Sequence, residues 1–198
     1  MKLTKRPLLA TLSLLTLTSV SDSWAQSTKR LIDEVNPFIG TSNFGTTNPG
    51  AVVPNGLMSI TPFNVSGSPE LNKFDKDKRW WSTPYTADNK FFSGFSHVNL
   101  SGVGCPELGS IIVSASSGDL DVDYTHYGSA MSHEQAHPGY YSVELDKHKI
   151  KAEVTATQRT AISAFTFERG GKSNILVNLG LGLTNESGAT VRFLNDST

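Results

Sequence analysis

The sequence predicts an all-β fold, an antiparallel β-sandwich, on two observations. The first is a series of short segments rich in β-branched and aromatic residues, at roughly ten-residue spacing and separated by turn-forming residues. The second is that no stretch of the sequence has the 3.6-residue apolar period of a long amphipathic helix. Such a chain is long enough to bury a core of its own.

Residues 150–157 have the clearest strand pattern, because apolar and polar side chains alternate along them. The apolar positions are Ile150, Ala152, Val154 and Ala156, and the polar ones are Lys151, Glu153, Thr155 and Thr157. This period of two predicts one buried and one solvent-facing side. Further strands are predicted over residues 110–114, 120–124, 140–145, 162–167 and 174–178, and residues 189–194 are also strand-like. Residues 146–148 predict a turn, and residues 169–172, Arg-Gly-Gly-Lys, predict a hairpin between the last two strands.

The N-terminus has the layout of a secretory signal peptide. Lys2, Lys5 and Arg6 precede an uncharged, mainly apolar run over residues 7–20, and Ser23-Trp24-Ala25 offers a small-x-small cleavage site. We expect residues 1–25 to be removed and residues 26–198 to form one domain in the periplasm or outside the cell. Because the last residues are strand-like rather than a terminal tail, we also expect the chain to be the front part of a longer protein.

The composition excludes some functions. Lys and Arg number 17 and Asp and Glu number 18, so no electrostatic footprint for nucleic acid is present. Cys105 is the single cysteine, so no intrachain disulfide can form and stability must come from the core.

Residues 36–66 are dense in Gly, Pro and Asn and cannot form a helix interior. A long irregular segment of this kind is either disordered or a shaped functional loop. Its apolar residues argue against disorder, since they give the loop its own anchors. These are Phe38, Ile39, Phe44, Val52, Val53, Leu57, Met58, Ile60 and Phe63. We therefore predict an ordered surface that shapes a site.

Residues 93–107 form a second glycine-rich block, which includes His97, Ser101, Gly102 and Cys105. Its glycines let the backbone approach a ligand closely. For His97, a ligand contact and an orienting hydrogen bond within the fold are equally open. Cys105 is expected to be a small buried residue rather than a nucleophile, because no orienting group or oxyanion hole accompanies it.

Trp80 and Trp81 stand in a polar stretch, where exposed aromatic rings suit sugar recognition. A ring face can stack on the apolar face of a sugar while neighbouring polar groups bind its hydroxyls. A tryptophan can equally fill the edge of the core, and we expect one residue of each kind.

Residues 133–137, His-Glu-Gln-Ala-His, match the H-E-x-x-H motif of zinc proteases. That motif works on a helix, which places both imidazoles on one face. Pro138 and Gly139 follow at once and disfavour a helix, so a polar turn leading into the Tyr140 strand is the simpler interpretation. A zinc hydrolase using His133 and His137 remains a minor alternative.

Several segments, in order along the chain, resemble the N-terminal domain of glycoside hydrolase family 92. They are residues 35–41 (VNPFIGT), 49–51 (PGA), 54–57 (PNGL), 94–97 (GFSH), 100–105 (LSGVGC), 138–143 (PGYYSV) and 152–160 (AEVTATQRT). The resemblance covers nearly all of residues 26–198, which makes it more specific than any single motif.

The resemblance implies a fold and an activity. Members of the family are exo-acting, calcium-dependent, inverting α-mannosidases in which an N-terminal β-sandwich packs on an (α/α)6 barrel. It implies that the acid and base carboxylates and the calcium ligands lie on the barrel, so we assign no catalytic residue and no metal ligand to this chain. The partners implied are a mannose-containing glycan and the barrel of the same polypeptide.

By the same resemblance, the sandwich contributes one wall of the substrate pocket through three loops. The substrate-binding residues expected there are Asn48, Trp80, Trp81, His97, Ser101, Gly102 and Cys105. Many relatives have an aromatic residue where this chain has Asn48, so linkage preference is left open. The favoured hypothesis is the N-terminal domain of a secreted or periplasmic α-mannosidase, inactive alone. The alternative is a stand-alone carbohydrate-binding β-sandwich.

Overall fold

The computed structural model describes residues 30–68, 73–75, 81–168, 170–184 and 188–195, and within them the fold is the predicted antiparallel β-sandwich. A short 3-10 helix, Leu31–Glu34, precedes ten strands. The strands are β1 Ala51–Val52, β2 Ser59–Phe63, β3 Phe91–Phe92, β4 Gly94–Asn99, β5 Leu108–Ser117, β6 Ser129–His137, β7 Tyr140–Leu145, β8 Ile150–Ala156, β9 Ala161–Phe167 and β10 Ser173–Asn178.

The strands form two five-stranded sheets with antiparallel pairing throughout. The first sheet has the order β1-β2-β4-β5-β10, and the second has the order β3-β6-β7-β8-β9. The second sheet contains the meander β6 to β9, whose strands follow one another along the chain. Its turn at residues 146–149 confirms the predicted turn after β7.

The main core lies between the sheets and confirms the predicted alternation in β8. Ile150, Ala152, Val154 and Ala156 are buried in it. The aromatic rings at its centre pack edge to face: Phe95 meets Phe92 at 4.9 Å and Tyr141 at 6.1 Å between ring centroids. Such tilted packing is the arrangement that aromatic quadrupoles favour.

A second, smaller apolar cluster covers the other face of the first sheet. Ile60 of β2 belongs to the main core, whereas Phe63, three positions on, belongs to the smaller cluster, as alternation along a strand requires. Its buried members are Phe63, Val65 and Ile112, against which Trp81, Leu181 and Leu183 pack. This cluster anchors the segment around Trp81, which is important for the site below.

The predicted hairpin between β9 and β10 is wrong. β9 pairs with β8 in the second sheet, whereas β10 pairs over six residues with β5 in the first. The connection therefore crosses from one sheet to the other, and Gly171 has a φ of 138°, which a residue with a side chain rarely adopts. A turn-like sequence between two strands does not show whether the strands pair as a hairpin or lie in different sheets.

The strand predicted over residues 120–124 is also wrong, since the structure has a loop there. Asp123 N–H donates to the Asp121 side chain at 2.9 Å, and Thr125 N–H donates to the Asp123 side chain at 2.9 Å. These local side-chain bonds satisfy the backbone without a partner strand. Residues 189–194 likewise lie outside any strand.

The predicted signal peptide, residues 1–25, lies outside the described residues. Among the residues that the structure describes, no helix has the length and apolar character needed to cross a membrane.

Candidate functional site

The two glycine-rich blocks recognised in the sequence lie side by side at the surface. Gly102 N–H donates to the carbonyl of Thr46 at 2.7 Å, and the Asn48 amide donates to the Leu100 carbonyl at 3.4 Å. The Asn48 side-chain oxygen accepts bonds from Gly50 N–H at 3.3 Å and from the Thr61 hydroxyl at 3.0 Å. Asn48 therefore holds the first block in place through bonds within the fold.

The first block also contacts the segment that follows Trp81. Ala87 N–H donates to the Thr41 carbonyl at 2.8 Å, and Asn43 N–H donates to the Asp88 carboxylate at 3.1 Å. Residues 36–50 thus lie between residues 81–89 and residues 97–107. We call these three segments together the loop surface.

Trp81 is partly buried, and it supports this surface from beneath. It packs on the cluster of Phe63 and Ile112, and the ring of Phe44 stacks on it with centroids 5.8 Å apart and planes inclined by 24°. Trp81 therefore contacts the core. Trp80 lies outside the described residues, so the expectation that one of the two tryptophans is exposed to sugar remains a prediction.

Phe44 is more exposed than the sequence predicts. Its ring stacks on Trp81, as expected of an apolar anchor of the loop, yet its side chain is 69% exposed. It and Asn43 have positive φ angles of 63° and 51°, a conformation that costs residues with side chains on the order of 1–3 kcal/mol each. The motif Asn-Phe-Gly was the available signal, because Asn tolerates and Gly permits such turns.

His97 lies beside an irregularity in the pairing of β4 with β5. Its Nδ1–H donates to the Ile111 carbonyl at 2.7 Å, which is the orienting bond that the sequence left open as one alternative. The register shifts between Phe95 and His97, and Val98 and Ile111 both have φ near 55°. Bulges with an unusual backbone concentrate at functional edges of sheets, where they redirect side chains.

Ser101, Gly102 and Cys105 lie on the exposed part of residues 97–107. The expectation that Cys105 is buried is therefore wrong, and its thiol faces solvent. Gly102 has a φ of 77° and no heavy atom within 4 Å of an added Cβ position, so glycine is needed there for the backbone rather than for space. The loop is open enough for a ligand to approach its backbone.

The H-E-x-x-H motif lies on strand β6, so the predicted polar turn is wrong and the helix that zinc chemistry needs is replaced by a strand. The pairing of β6 with β7 shifts register between Ser132 and Gln135, and His133 has a φ of 50°. On an extended strand, residues four apart are separated by roughly 13 Å. His133 bonds Glu144 at 2.9 Å, and His137 stacks on Tyr140 at 4.6 Å.

The bulge in β6 directs Glu134 into the interior. Its carboxylate accepts hydrogen bonds from Tyr85 at 2.7 Å, Tyr141 at 2.9 Å and Lys90 at 2.6 Å. Burial, and then the charge of Glu134, raise the pKa of both tyrosine hydroxyls well above the usual value. Both carboxylate oxygens of Glu134 accept hydrogen bonds, so Glu134 has a structural role: it holds Tyr85, Tyr141 and Lys90 together.

No group of three or more His, Cys, Asp or Glu side chains placed to hold a metal ion occurs among the described residues. The Asp121 and Asp123 carboxylates each accept a backbone N–H of their own loop. Among the described residues, these side chains therefore form no cluster that fits a calcium ion.

The fold and the loop surface define the class of the protein: an all-β sandwich domain that presents a preformed surface of glycine-rich and aromatic loops. Comparison with known proteins gives the family. The profile of the glycosyl hydrolase family 92 N-terminal domain matches residues 34–198, so the chain belongs to that family.

Individual relatives agree with this assignment. The family GH92 α-mannosidase BT3965 from Bacteroides thetaiotaomicron is 30% identical, with a TM-score of 0.68 over 77% of this chain and 20% of that chain. An uncharacterized secreted glycosidase of Arthroderma benhamiae is 28% identical in a 185-residue alignment that covers 86% of this chain and 22% of that protein. The GH92 inverting mannosidase BT2199 from B. thetaiotaomicron, 23% identical with a TM-score of 0.57 over 76% of this chain and 20% of that chain, shares the fold. The chain spans about a fifth of the length of these relatives.

Proposed function

We propose that this chain is the N-terminal domain of a secreted α-mannosidase and that its loop surface forms one wall of the pocket that binds a mannose-containing glycan. The observation that carries the proposal is the convergence of three separate segments, residues 36–50, 81–89 and 97–107. They are joined by the Thr46–Gly102 and Thr41–Ala87 backbone bonds. These are the segments in which the sequence predicted sugar contacts.

The chemistry of the loop surface suits a sugar. It combines an exposed aromatic ring at Phe44 with the hydroxyl of Ser101 and the backbone around Gly102, which a ligand can approach. Pockets for small polar ligands combine apolar contact with a few placed hydrogen-bonding groups. His97, Asn48 and Cys105 belong to the same proposal: His97 and Asn48 hold the loops, and Cys105 lies on the exposed part.

The hydrolytic groups are assigned by this proposal to the remainder of the polypeptide. An inverting mechanism needs two carboxyl groups about 6.5–9.5 Å apart with a water between them. Glu134 is unsuited to this, because both of its oxygens already accept hydrogen bonds within the fold, one from Tyr85 and one from Lys90. We therefore propose that the (α/α)6 barrel supplies the acid and the base, and that calcium binds there too.

Secretion is part of the proposal. It rests on the signal-peptide layout of residues 1–25 and agrees with the name of the A. benhamiae relative, a secreted glycosidase. N-terminal sequencing of the protein from the medium or periplasm tests it. A first residue of Gln26 is expected, and an intact Met1 would contradict it.

Activity is tested on the complete protein with an aryl α-mannoside. We expect hydrolysis that is lost after treatment with a calcium chelator and restored by added Ca²⁺, with a β-anomeric first product by NMR. The aryl β-mannoside and α-glucoside serve as control substrates. Absence of α-mannoside hydrolysis and of mannose binding would contradict the proposal.

A stand-alone carbohydrate-binding domain is a second candidate, favoured by the buried core that the chain forms between its two sheets. Titration of residues 26–198 alone with mannose and mannobiose distinguishes the two. Half a pocket should bind in the millimolar range or not at all, whereas a binding module should bind at micromolar concentrations.

A further inference from the structure

We propose that Phe44 is a sugar-stacking residue of the loop surface, with Trp81 as its support. This inference rests on the proposed function, and it names a specific contact for that site. It goes beyond the sequence prediction, in which Trp80 and Trp81 were the aromatic sugar contacts and Phe44 was an internal anchor.

The geometry of the pair gives Phe44 one free face. Its ring is stacked on Trp81 with a centroid distance of 5.8 Å and an inclination of 24°, so one face is covered by the indole. The side chain is nevertheless 69% exposed, which leaves its opposite face to solvent. A planar apolar surface of this kind matches the face of a pyranose ring on which the C–H groups lie.

The support beneath Phe44 is packed on the core. Trp81 packs against Phe63, Val65 and Ile112, which are buried between the first sheet and the loops that cover it. Phe44 therefore rests on a side chain whose position is fixed by packing. An aromatic platform loses little conformational entropy on binding when its position is fixed before the ligand arrives.

The backbone holds Phe44 in its exposed position despite the strain described above. Asn43 N–H donates to Asp88 at 3.1 Å, and Gly45 N–H donates to the Ser42 carbonyl at 2.8 Å. A Cβ at Gly45 would lie 1.9 Å from the Gly40 carbonyl oxygen, so the turn accepts no other residue there. Apolar residues usually turn inward, and this turn instead presents an aromatic ring to solvent.

The surroundings of the ring are polar. Ser42, Asn43 and Asp88 are all exposed next to it, and they offer a hydroxyl, an amide and a carboxylate. An apolar ring bordered by such groups fits a ligand that has one apolar face and a rim of hydroxyls. A purely apolar partner would leave these polar groups without hydrogen bonds, which is unfavourable.

The test compares Phe44→Ala, Phe44→Tyr and Leu57→Ala in the complete protein. Leu57 is a suitable control because it is 68% exposed and apolar but lies outside the loop surface. For each protein, the mannose dissociation constant is measured by calorimetry, KM and kcat on the aryl α-mannoside are determined, and Tm is recorded.

We expect Phe44→Ala to raise the dissociation constant and KM about tenfold, equivalent to about 1.4 kcal/mol. Phe44→Tyr should restore binding to within about twofold and Leu57→Ala should bind as the unmodified protein does. Tm should fall only slightly in Phe44→Ala, because the side chain is 69% exposed and the contact that is lost is the stacked one with Trp81.

Two results would overturn the inference. In a protein that hydrolyses α-mannosides, unchanged mannose binding by Phe44→Ala would show that Phe44 does not contact sugar, while the proposed function would stand. Equal loss of binding in Phe44→Ala and Phe44→Tyr would also contradict stacking, since tyrosine retains the ring. Absence of both α-mannoside hydrolysis and mannose binding in the unmodified protein would instead remove the proposed function, and this inference with it.

Discussion

The Glu134 carboxylate accepts a 2.7 Å hydrogen bond from the hydroxyl of Tyr85, a residue 49 positions earlier in the chain. The same carboxylate accepts a bond from Tyr141, which is fully buried in the main core. Glu134 thereby joins the loop before β3 to two strands of the second sheet. This carboxylate and the two tyrosine hydroxyls satisfy one another in the interior. Removing either side would leave the other buried without a hydrogen-bond partner, which destabilises the fold.

Replacing Glu134 with alanine is expected to destabilise the domain by about 2–4 kcal/mol, because two buried tyrosine hydroxyls lose their acceptor. Lys90 adds little to this value, as its side chain is 43% exposed. Urea unfolding followed by tyrosine fluorescence measures the change. Glu144→Ala is the matched control, since Glu144 bonds the exposed His133, and a change below about 0.5 kcal/mol is expected. Equal effects of the two substitutions would contradict the structural role of Glu134.

His148 gives the domain a predicted dependence on pH. Its Nε2–H donates to the Tyr127 carbonyl at 2.7 Å, and its Nδ1 accepts from Ser117 N–H at 3.4 Å, so the neutral ring fits the site. Burial lowers the pKa of His148 below its usual value. The unfolded chain therefore binds a proton more readily than the folded one. The stability that this histidine contributes is full above the unfolded pKa of about 6.5 and is lost as the pH falls below it.

We expect the free energy of unfolding to fall between pH 7 and pH 5, with a contribution from His148 of at most about 1.4 kcal/mol per pH unit. The measurement is a series of urea titrations on the unmodified chain and on His148→Gln. Other groups titrate in this range, so the difference between the two curves is the relevant quantity. A His148→Gln variant with the same slope as the unmodified chain would show that His148 is not the group responsible.

The edge of the first sheet at β10 is predicted to promote self-association of the isolated domain. Ile175 and Val177 pair with Ala115 and Val113 on the face that carries the main core, yet they are 56% and 59% exposed. β10 also contains no charged residue and no proline, the features that protect edge strands.

We expect residues 26–198 to form concentration-dependent oligomers in sedimentation velocity experiments, and Val177→Lys to reduce them at least severalfold. Ile162→Lys is the control, because Ile162 is a similarly exposed residue on the outer face of β9. The prediction would be contradicted if residues 26–198 sedimented as a monomer from the lowest detectable protein concentration up to about 100 times that concentration.

The alternation of side chains made the β-sheet core predictable. In β8 the buried residues are the ones that a period of two selects, although the strand ends at Ala156, one residue before the predicted end. The bounds of β7 agree with the sequence prediction, but Ser142 is buried along with Tyr141 and Val143, so this strand does not alternate strictly. The predictions failed where local chemistry replaced strand pairing, as at Asp121 and Asp123, or where a turn was a sheet crossing, as at Gly171. The periodicity of apolar residues does not show whether a segment forms a loop or a strand, or whether two strands pair with each other.

The sequence predicted which segments form the candidate site, but it predicted less well which way their side chains point. Glycine, proline and aromatic content identified the three loop segments, and two backbone bonds, Gly102 to Thr46 and Ala87 to Thr41, bring them together. The sequence analysis does not predict the burial of Glu134 or the exposure of Phe44, because each depends on a backbone irregularity. One is the bulge in β6, and the other is the positive φ of Asn43 and Phe44. Single-residue irregularities of this kind change which way a side chain points without changing the residue pattern.

Cys105 allows the most direct test of the claim that the loop surface forms one wall of a mannose pocket. It is the one cysteine of this chain and it is exposed on residues 97–107, so its alkylation rate reports on that loop alone. In the complete protein, the rate for the peptide that contains Cys105 is measured by mass spectrometry with and without saturating mannose, and with glucose as the control. Our account predicts that mannose slows alkylation at least fivefold and that glucose does not. An alkylation rate unaffected by mannose, in a protein that hydrolyses α-mannosides, would place the pocket elsewhere and contradict the account.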